Sequence, residues 1–174
     1  MSYRKKIFSG QKPSEKDWEE FVKESHAKEP GMSPRFFERL SDGQGKNTYE
    51  ILSSSMNLGE DSRVLDLACG NGVLSKYLLL NGRCALVDGV DFSPEEIAAA
   101  QENFNRSNVQ FHLAAAQKMP FENQKFDCCL SHMAVMLITP LEESLSEVNR
   151  VLKAGARFNF LITHANQSLS LIHI

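Results

Sequence analysis

VLDLACGNGVLS, from Val64 to Ser75, is the stretch on which the fold turns. Arg63 to Leu67 is a mostly apolar run of the length and composition of a parallel strand buried on both faces. Val73 to Leu80 continues as an apolar helix that stops at Asn81-Gly82, a pair suited to a helix C-terminus. Between them, Gly70-Asn71-Gly72 supply a tight turn whose glycines let a ligand approach the backbone closely. In an open α/β sheet such a turn lies outside the carboxyl end of its strand, which is where these sheets bind ligands. One glycine-x-glycine turn is weak support alone and gains weight only from its surroundings.

Downstream, the strand–helix alternation repeats. Cys84 to Val90 reads as a second strand, and Ser93-Pro94 places a capping side chain before a proline at the first helical position. The helix that follows runs towards Arg106. Val109 to Leu113 is a third strand, and Phe126 to Ser131 a fourth after the turn-like FENQK. Thr139 and Glu142 have capping-box spacing, opening a helix through Leu145, Val148, Val151 and Leu152 that stops at Gly155. Ala156 to Thr163 is a fifth strand. Repeated β-α-β units with short connections imply an α/β fold, an open parallel sheet with helices on both faces. Residues 61–165 form this core.

Residues 1–60 read differently, as an N-terminal helical extension. Ser14 caps a helix carrying Trp18, Phe21 and Val22 on one face, ending near Pro30-Gly31. Ser33-Pro34 precedes a short helix with Phe36, Phe37 and Leu40, and a third carries Tyr49, Ile51, Leu52 and Met56. These aromatics suit either a lid over a pocket or ordinary helix packing.

Composition narrows the function classes. The 174 residues are 42% apolar and 24% charged, which excludes a largely disordered, collagenous or membrane-dominated chain and suits one core. A net charge of -3 lacks the positive field that phosphate neutralisation requires, so nucleic acid is not expected as an obligate partner. Cys69, Cys84, Cys128 and Cys129 form no CxxC pair, so neither structural zinc nor a disulfide framework is expected. Cys128 and Cys129, adjacent on one strand, should point to opposite faces. The opening MSYRKKIFSGQKPSEKDW contains no apolar signal core, and no run reaches the ~18 apolar residues of a membrane span. A cytoplasmic location without membrane attachment follows as the expectation.

Three acids bear on the glycine turn. Asp91 ends the second strand, where a carboxylate can accept both hydroxyl hydrogen bonds of a ribose; capping of the next helix is the alternative. Asp88, three residues earlier and within the strand run, is the competing acid. Asp66 lies inside an apolar strand and must find hydrogen bonds or a ligand amine there. It either accepts the glycine-loop amides, meets a ligand indirectly, or is merely structural.

On these residues the chain resembles the class I, seven-strand, Rossmann-like S-adenosylmethionine-dependent methyltransferases. VLDLACGNG is similar to their first motif, GVDFS to the second-strand motif with its ribose acid, and KMPFENQKFDCCLS to the segment leading past adenine into strand four. LSEVNRVLKAGARFNF resembles the helix and fifth strand that follow, so the likeness extends from Ser62 to about Thr163. It implies a sheet of order 3-2-1-4-5 and S-adenosyl-L-methionine as cofactor. Ala68, Gly70, Asn71 and Gly72 would line its methionyl side with Asp66 at the base. Asp91 would hold the ribose, Phe92 would lie against adenine, and Ala116 and Gln117 would read the adenine edge. Ser131 and His132 would stand where donor and acceptor meet. One position departs: Ala115 stands where many members carry an acid.

Methyl transfer needs alignment more than side-chain chemistry, so no catalytic residue is assigned. If the acceptor must lose a proton, His132, His26 or Tyr49 is the available base. The absence of an NPPY-like sequence after strand four favours a small-molecule acceptor. The alternatives are a non-catalytic S-adenosylmethionine-binding or interaction protein and an NAD-dependent oxidoreductase. The latter is disfavoured because Ser75 stands where the third glycine of GxGxxG would be. Finally, residues 166–174 are expected to be irregular and foreign to a longer native chain. With the family's last strands missing, strand five would be an exposed edge open to homo-oligomerisation.

Overall fold

The computed structural model describes residues 14–29, 31, 34, 37–80, 86–163 and 169–174. Its centre is strand β1 (Arg63–Leu67), followed by helix α3 (Val73–Leu80), β2 (Leu86–Asp91), α4 (Pro94–Asn103) and β3 (Val109–Leu113). β4 (Phe126–His132), a single 3-10 turn (Val135–Leu137), α5 (Leu141–Val151), β5 (Leu152–Thr163) and β6 (Leu169–His173) complete the core. Two helices precede it, α1 (Glu15–Lys28) and α2 (Thr48–Ser53).

The strands form one sheet of order 3-2-1-4-5-6. β1 pairs in parallel with β2 on one side and β4 on the other, so the chain winds outward in one direction to β3 and then resumes beyond β1. That reversal opens a crevice at the carboxyl ends of β1 and β4, the switch point of such sheets. Alternation of side chains across the sheet divides the core in two. Val64, Leu74, Leu78, Leu52, Cys128 and Leu130 pack on the face covered by α2 and α3. Leu65, Leu67, Phe126, Cys129, Val148 and Val151 pack on the face covered by α5. Cys128 and Cys129 therefore do fall on opposite sides of the sheet.

Ser14 caps α1 and Ser93 caps α4 as the sequence suggests. Both ends of α5 differ from the expectation, and β5 accordingly starts at Leu152 rather than Ala156. Pro140, not Thr139, occupies the cap position of α5, and no side chain closes that end. The helix also ends at Val151 rather than Gly155, because Leu152 already pairs with Phe126 of β4. The ladder then breaks and resumes at Arg157 opposite Cys128. Gly155, at φ +78°, lies in that break, a bulge that adds residues to one strand only.

The carboxyl end corrects the expectation of an irregular tail and a bare fifth strand. Leu169–His173 pairs antiparallel with Asn159–Thr163, and Ile174 exchanges two further backbone hydrogen bonds with Phe158. The physical reason is period two: Leu169 and Leu171 pack on one face of the sheet and Ile172 on the other. The edge of β5 is covered, which removes the ground for oligomerisation through it. Trp18's side chain, Phe36, Cys84, the Asn81-Gly82 helix stop and residues 164–168 lie outside what is described.

Candidate functional site

A cleft of about 530 Å³ opens at the switch point. Its floor is the end of β1 and the turn after it, where Ala68, Gly70 and Gly72 have φ of 55°, 51° and 82°. For Ala68 this left-handed backbone is a strained conformation. Gly72 could not be otherwise: a Cβ there would lie 2.7 Å from the Phe111 ring as well as requiring positive φ.

Asp91 anchors the turn. Its Oδ2 accepts from the Gly70 amide at 2.9 Å and its Oδ1 from the Ser93 amide at 2.9 Å. Each oxygen retains a lone pair, so the carboxylate still fits a pair of hydroxyl donors in the cleft it lines. The loop amide therefore goes to Asp91 and not, as one sequence reading had it, to Asp66. Alternation along β1 turns Asp66 towards α3, where its Oδ2 accepts from the Ser75 hydroxyl at 2.7 Å. Its Oδ1 has no hydrogen-bond partner among the described residues. Burial raises the Asp66 carboxyl to about 7, against the Ser75 hydrogen bonds that pull it down. An orphaned carboxylate oxygen on a residue only 1% exposed, beside a cleft, fits an ammonium group.

Of the proposed cofactor residues, Asp66, Ala68, Gly70, Asn71, Asp91, Phe92, Ala116 and Gln117 line this one cleft. Gly72 instead packs beneath it against Phe111 and Ala100. Ser131 is fully buried, its hydroxyl has no partner among the described residues, and it does not line the cleft. Gln117 Nε2 donates to the Thr139 carbonyl at 2.7 Å, joining the segment after β3 to the loop after β4. Ala115 lines the wall next to it and forms a bridge with Lys118. Asp88 is elsewhere: it bonds His112 at 2.7 Å and Lys125 at 2.8 Å. Burial would raise its carboxyl, but these two partners hold it below the usual range.

The opposite wall comes from the extension. Val22, Lys23, Pro34, Phe37 and Tyr49 line it together with His132 of β4. His132 stacks on Tyr49, and burial lowers it to about 3, so the ring is neutral. Burial, with the Asp66 charge next, pushes the Tyr49 phenol well above its ordinary value, so neither ionises readily. His26, the third candidate base, has a side chain outside the described set.

Sequence reasoning missed Glu96. It is buried, lines the cleft, and its Oε1 accepts from the Gly31 amide at 3.0 Å, tying extension to core. An acid in the first turn of a helix reads as complementing the helix dipole, so its second function had no separate signal. The loop from Met133 to Thr139 was also missed, since irregular segments carry no periodicity.

Comparison with known proteins places these features in context. The family model described as "Methyltransferase domain" matches residues 65–160. A demethylmenaquinone methyltransferase of Chlorobaculum parvum is 31% identical over 62% of this chain and 52% of its own length. A fatty-acid O-methyltransferase of Mycolicibacterium smegmatis is 32% identical over 68% of this chain and 45% of its own. The PH0226 protein of Pyrococcus horikoshii superposes with a TM-score of 0.55 at 36% identity, over 62% of this chain and 48% of that one. The chain spans about half the length of the curated relatives it matches.

Proposed function

This chain belongs to the methyltransferase-domain family, whose methyl donor is S-adenosylmethionine, and from that premise we propose that it is the cofactor-binding core of a methyltransferase acting on a small, largely apolar molecule. The observation that carries the reading is the pairing of Asp91 and Asp66 in one cleft, one carboxylate with lone pairs to spare and one with an orphaned oxygen.

On this reading Asp66 faces the ammonium of the methionyl end and Asp91 accepts from the ribose hydroxyls. Phe92 and Ala116 bound the adenine slot. Gln117 keeps its carbonyl oxygen and one of its two amide hydrogens for the base, the other hydrogen being engaged with the Thr139 carbonyl. When bound, the cofactor supplies an electrophilic methyl on a positively charged sulfur. The protein's share is alignment and exclusion of water. The extension closes the acceptor side as a lid, with Phe37, Tyr49 and Val22 as its apolar surface. Leu113 and Leu137, both exposed and both lining the cleft, extend that surface to the rim. The two curated relatives, by their names, act on a demethylated quinone and on fatty acids, which supports an apolar acceptor here. No described helix is long and apolar enough to cross a membrane, and we assign the chain to the cytoplasm.

Isothermal titration with S-adenosylmethionine, S-adenosylhomocysteine and NAD tests this. Binding of both adenosyl ligands with a Kd in the micromolar range, or roughly -8 kcal/mol, and none of NAD is expected. NAD binding in their place would overturn the reading in favour of hydride transfer.

A further inference from the structure

His132 ends β4 and lines the cleft, and its hydrogen bonding bears on which ring nitrogen carries the proton. Nε2 lies 2.9 Å from Thr48 Oγ1. The same hydroxyl donates its one hydrogen to the Phe37 carbonyl at 3.0 Å. A hydroxyl has one hydrogen and two lone pairs, so while that hydrogen points to Phe37 the oxygen accepts from His132. In that arrangement the neutral imidazole carries its proton on Nε2 and presents a bare lone pair at Nδ1.

The ring is held in this pose. Tyr49 stacks on it with centroids 3.9 Å apart and planes 18° apart, and Phe37 meets it edge to face at 5.3 Å. Nδ1 has no hydrogen-bond partner among the described residues, yet it is not one of the sealed polar atoms of the interior. Since His132 lines the cleft, that lone pair is accessible from it.

Resting on the methyltransferase reading above, we propose that Nδ1 of His132 accepts a hydrogen bond from the methyl acceptor, and that the acceptor is a neutral hydroxyl compound of phenol or enol type on an apolar body. A lone-pair acceptor at this point favours an acceptor group that brings its own proton. A protonated amine would satisfy Nδ1 as well, but it needs a carboxylate beside it. The groups packed on His132 itself, Phe37, Thr48 and Tyr49, include no carboxylate. Of the cleft carboxylates, Asp66, whose charge reaches Tyr49, is bonded to Ser75 and given to the cofactor on the reading above, Asp91 is held by the Gly70 and Ser93 amides and Glu96 by the Gly31 amide. His132 is thus a specificity-determining residue, and Thr48 positions it by fixing the tautomer.

Nitrogen-15 NMR of the imidazole in the full chain reads the tautomer directly, with no cofactor present. The proposal expects the Nε2–H form throughout the neutral range and a mixture of tautomers in Thr48→Val. Phenol should shift the His132 Nδ1 resonance and bind about fivefold more tightly than toluene, and His132→Phe should bring the two probes level. An Nδ1–H tautomer in the unsubstituted chain overturns the proposal, as does equal binding of phenol and toluene without a shift at Nδ1. Titration with S-adenosylmethionine on the same samples separates the two levels. Loss of that binding would remove the methyltransferase reading, while the tautomer and probe measurements would still decide the role of His132.

Discussion

Asp66 is the residue whose protonation state should link stability to ligand binding. Its folded-state value of about 7 lies above the 3.8 of an unperturbed carboxyl. Between those two values the folded chain holds a proton that the unfolded chain has released. Stability therefore falls as pH rises from about 4 to about 7, with a slope of at most about 1.4 kcal/mol per pH unit from this group. Asp66→Asn should flatten that part of the curve, read as urea unfolding midpoints across the range. A cationic ligand reverses the preference, so S-adenosylmethionine should bind more tightly as pH rises through 7 and should release a proton. Titration in buffers of differing ionisation enthalpy measures that release, and none would occur if the ammonium lies elsewhere. Asp91 is a different case, being held by two amides rather than orphaned. Asp91→Ala frees the Gly70 amide and removes the proposed ribose acceptor, and should weaken cofactor affinity by roughly 1–3 kcal/mol. Asp88→Ala should leave that affinity unchanged in the same titration, because Asp88 is paired with His112 and Lys125 outside the cleft.

Among the elements, β6 shows most clearly how a weak local pattern becomes a strand. SLSLIHI has period-two leucines and a β-branched partner, yet six or seven residues of this kind form nothing alone. What orders them is the unsatisfied edge of β5 and the apolar rows on either side of it, which accept Leu169, Leu171 and Ile172. Ending the chain after Thr163 should cost on the order of 2–4 kcal/mol through lost apolar burial and expose a strand edge that recruits other chains. Thermal unfolding combined with size-exclusion chromatography reads both effects. A monomer of unchanged Tm would show that β6 contributes nothing. α5 and β5 make the converse point. The helical period carries on past Val151 in the sequence, but the backbone of Leu152 is claimed by Phe126 of β4, and sheet pairing overrides local helical preference.

For the whole molecule, the cleft exists because the chain reverses direction across the sheet between β3 and β4 and because the extension folds back over the opening. The tie between Glu96 and the Gly31 amide holds that extension against α4. Glu96→Ala should loosen it and raise the dissociation rate of S-adenosylmethionine about tenfold, in line with the loss of one hydrogen bond to a charged group. Stopped-flow displacement measures the rate, and no change would mean that the extension does not close over the cofactor. Most of the fold, and most of the residues that line the cleft around the glycine turn, were determined by the sequence itself. Strand β1, the glycine turn, Asp91 at the end of β2 and the Ser93 cap are local features, each specified by neighbours within a few residues. Tertiary structure alone decided the rest. Which acid receives the Gly70 amide depends on how β1 and β2 lie side by side. Glu96 joins the site only because the extension crosses it. His132 meets the Thr48 hydroxyl, on a residue 84 positions away, and β6 becomes a strand only against the edge of β5. Hydrogen bonds between segments distant in sequence have no period and no spacing rule, so only the folded chain assigns them.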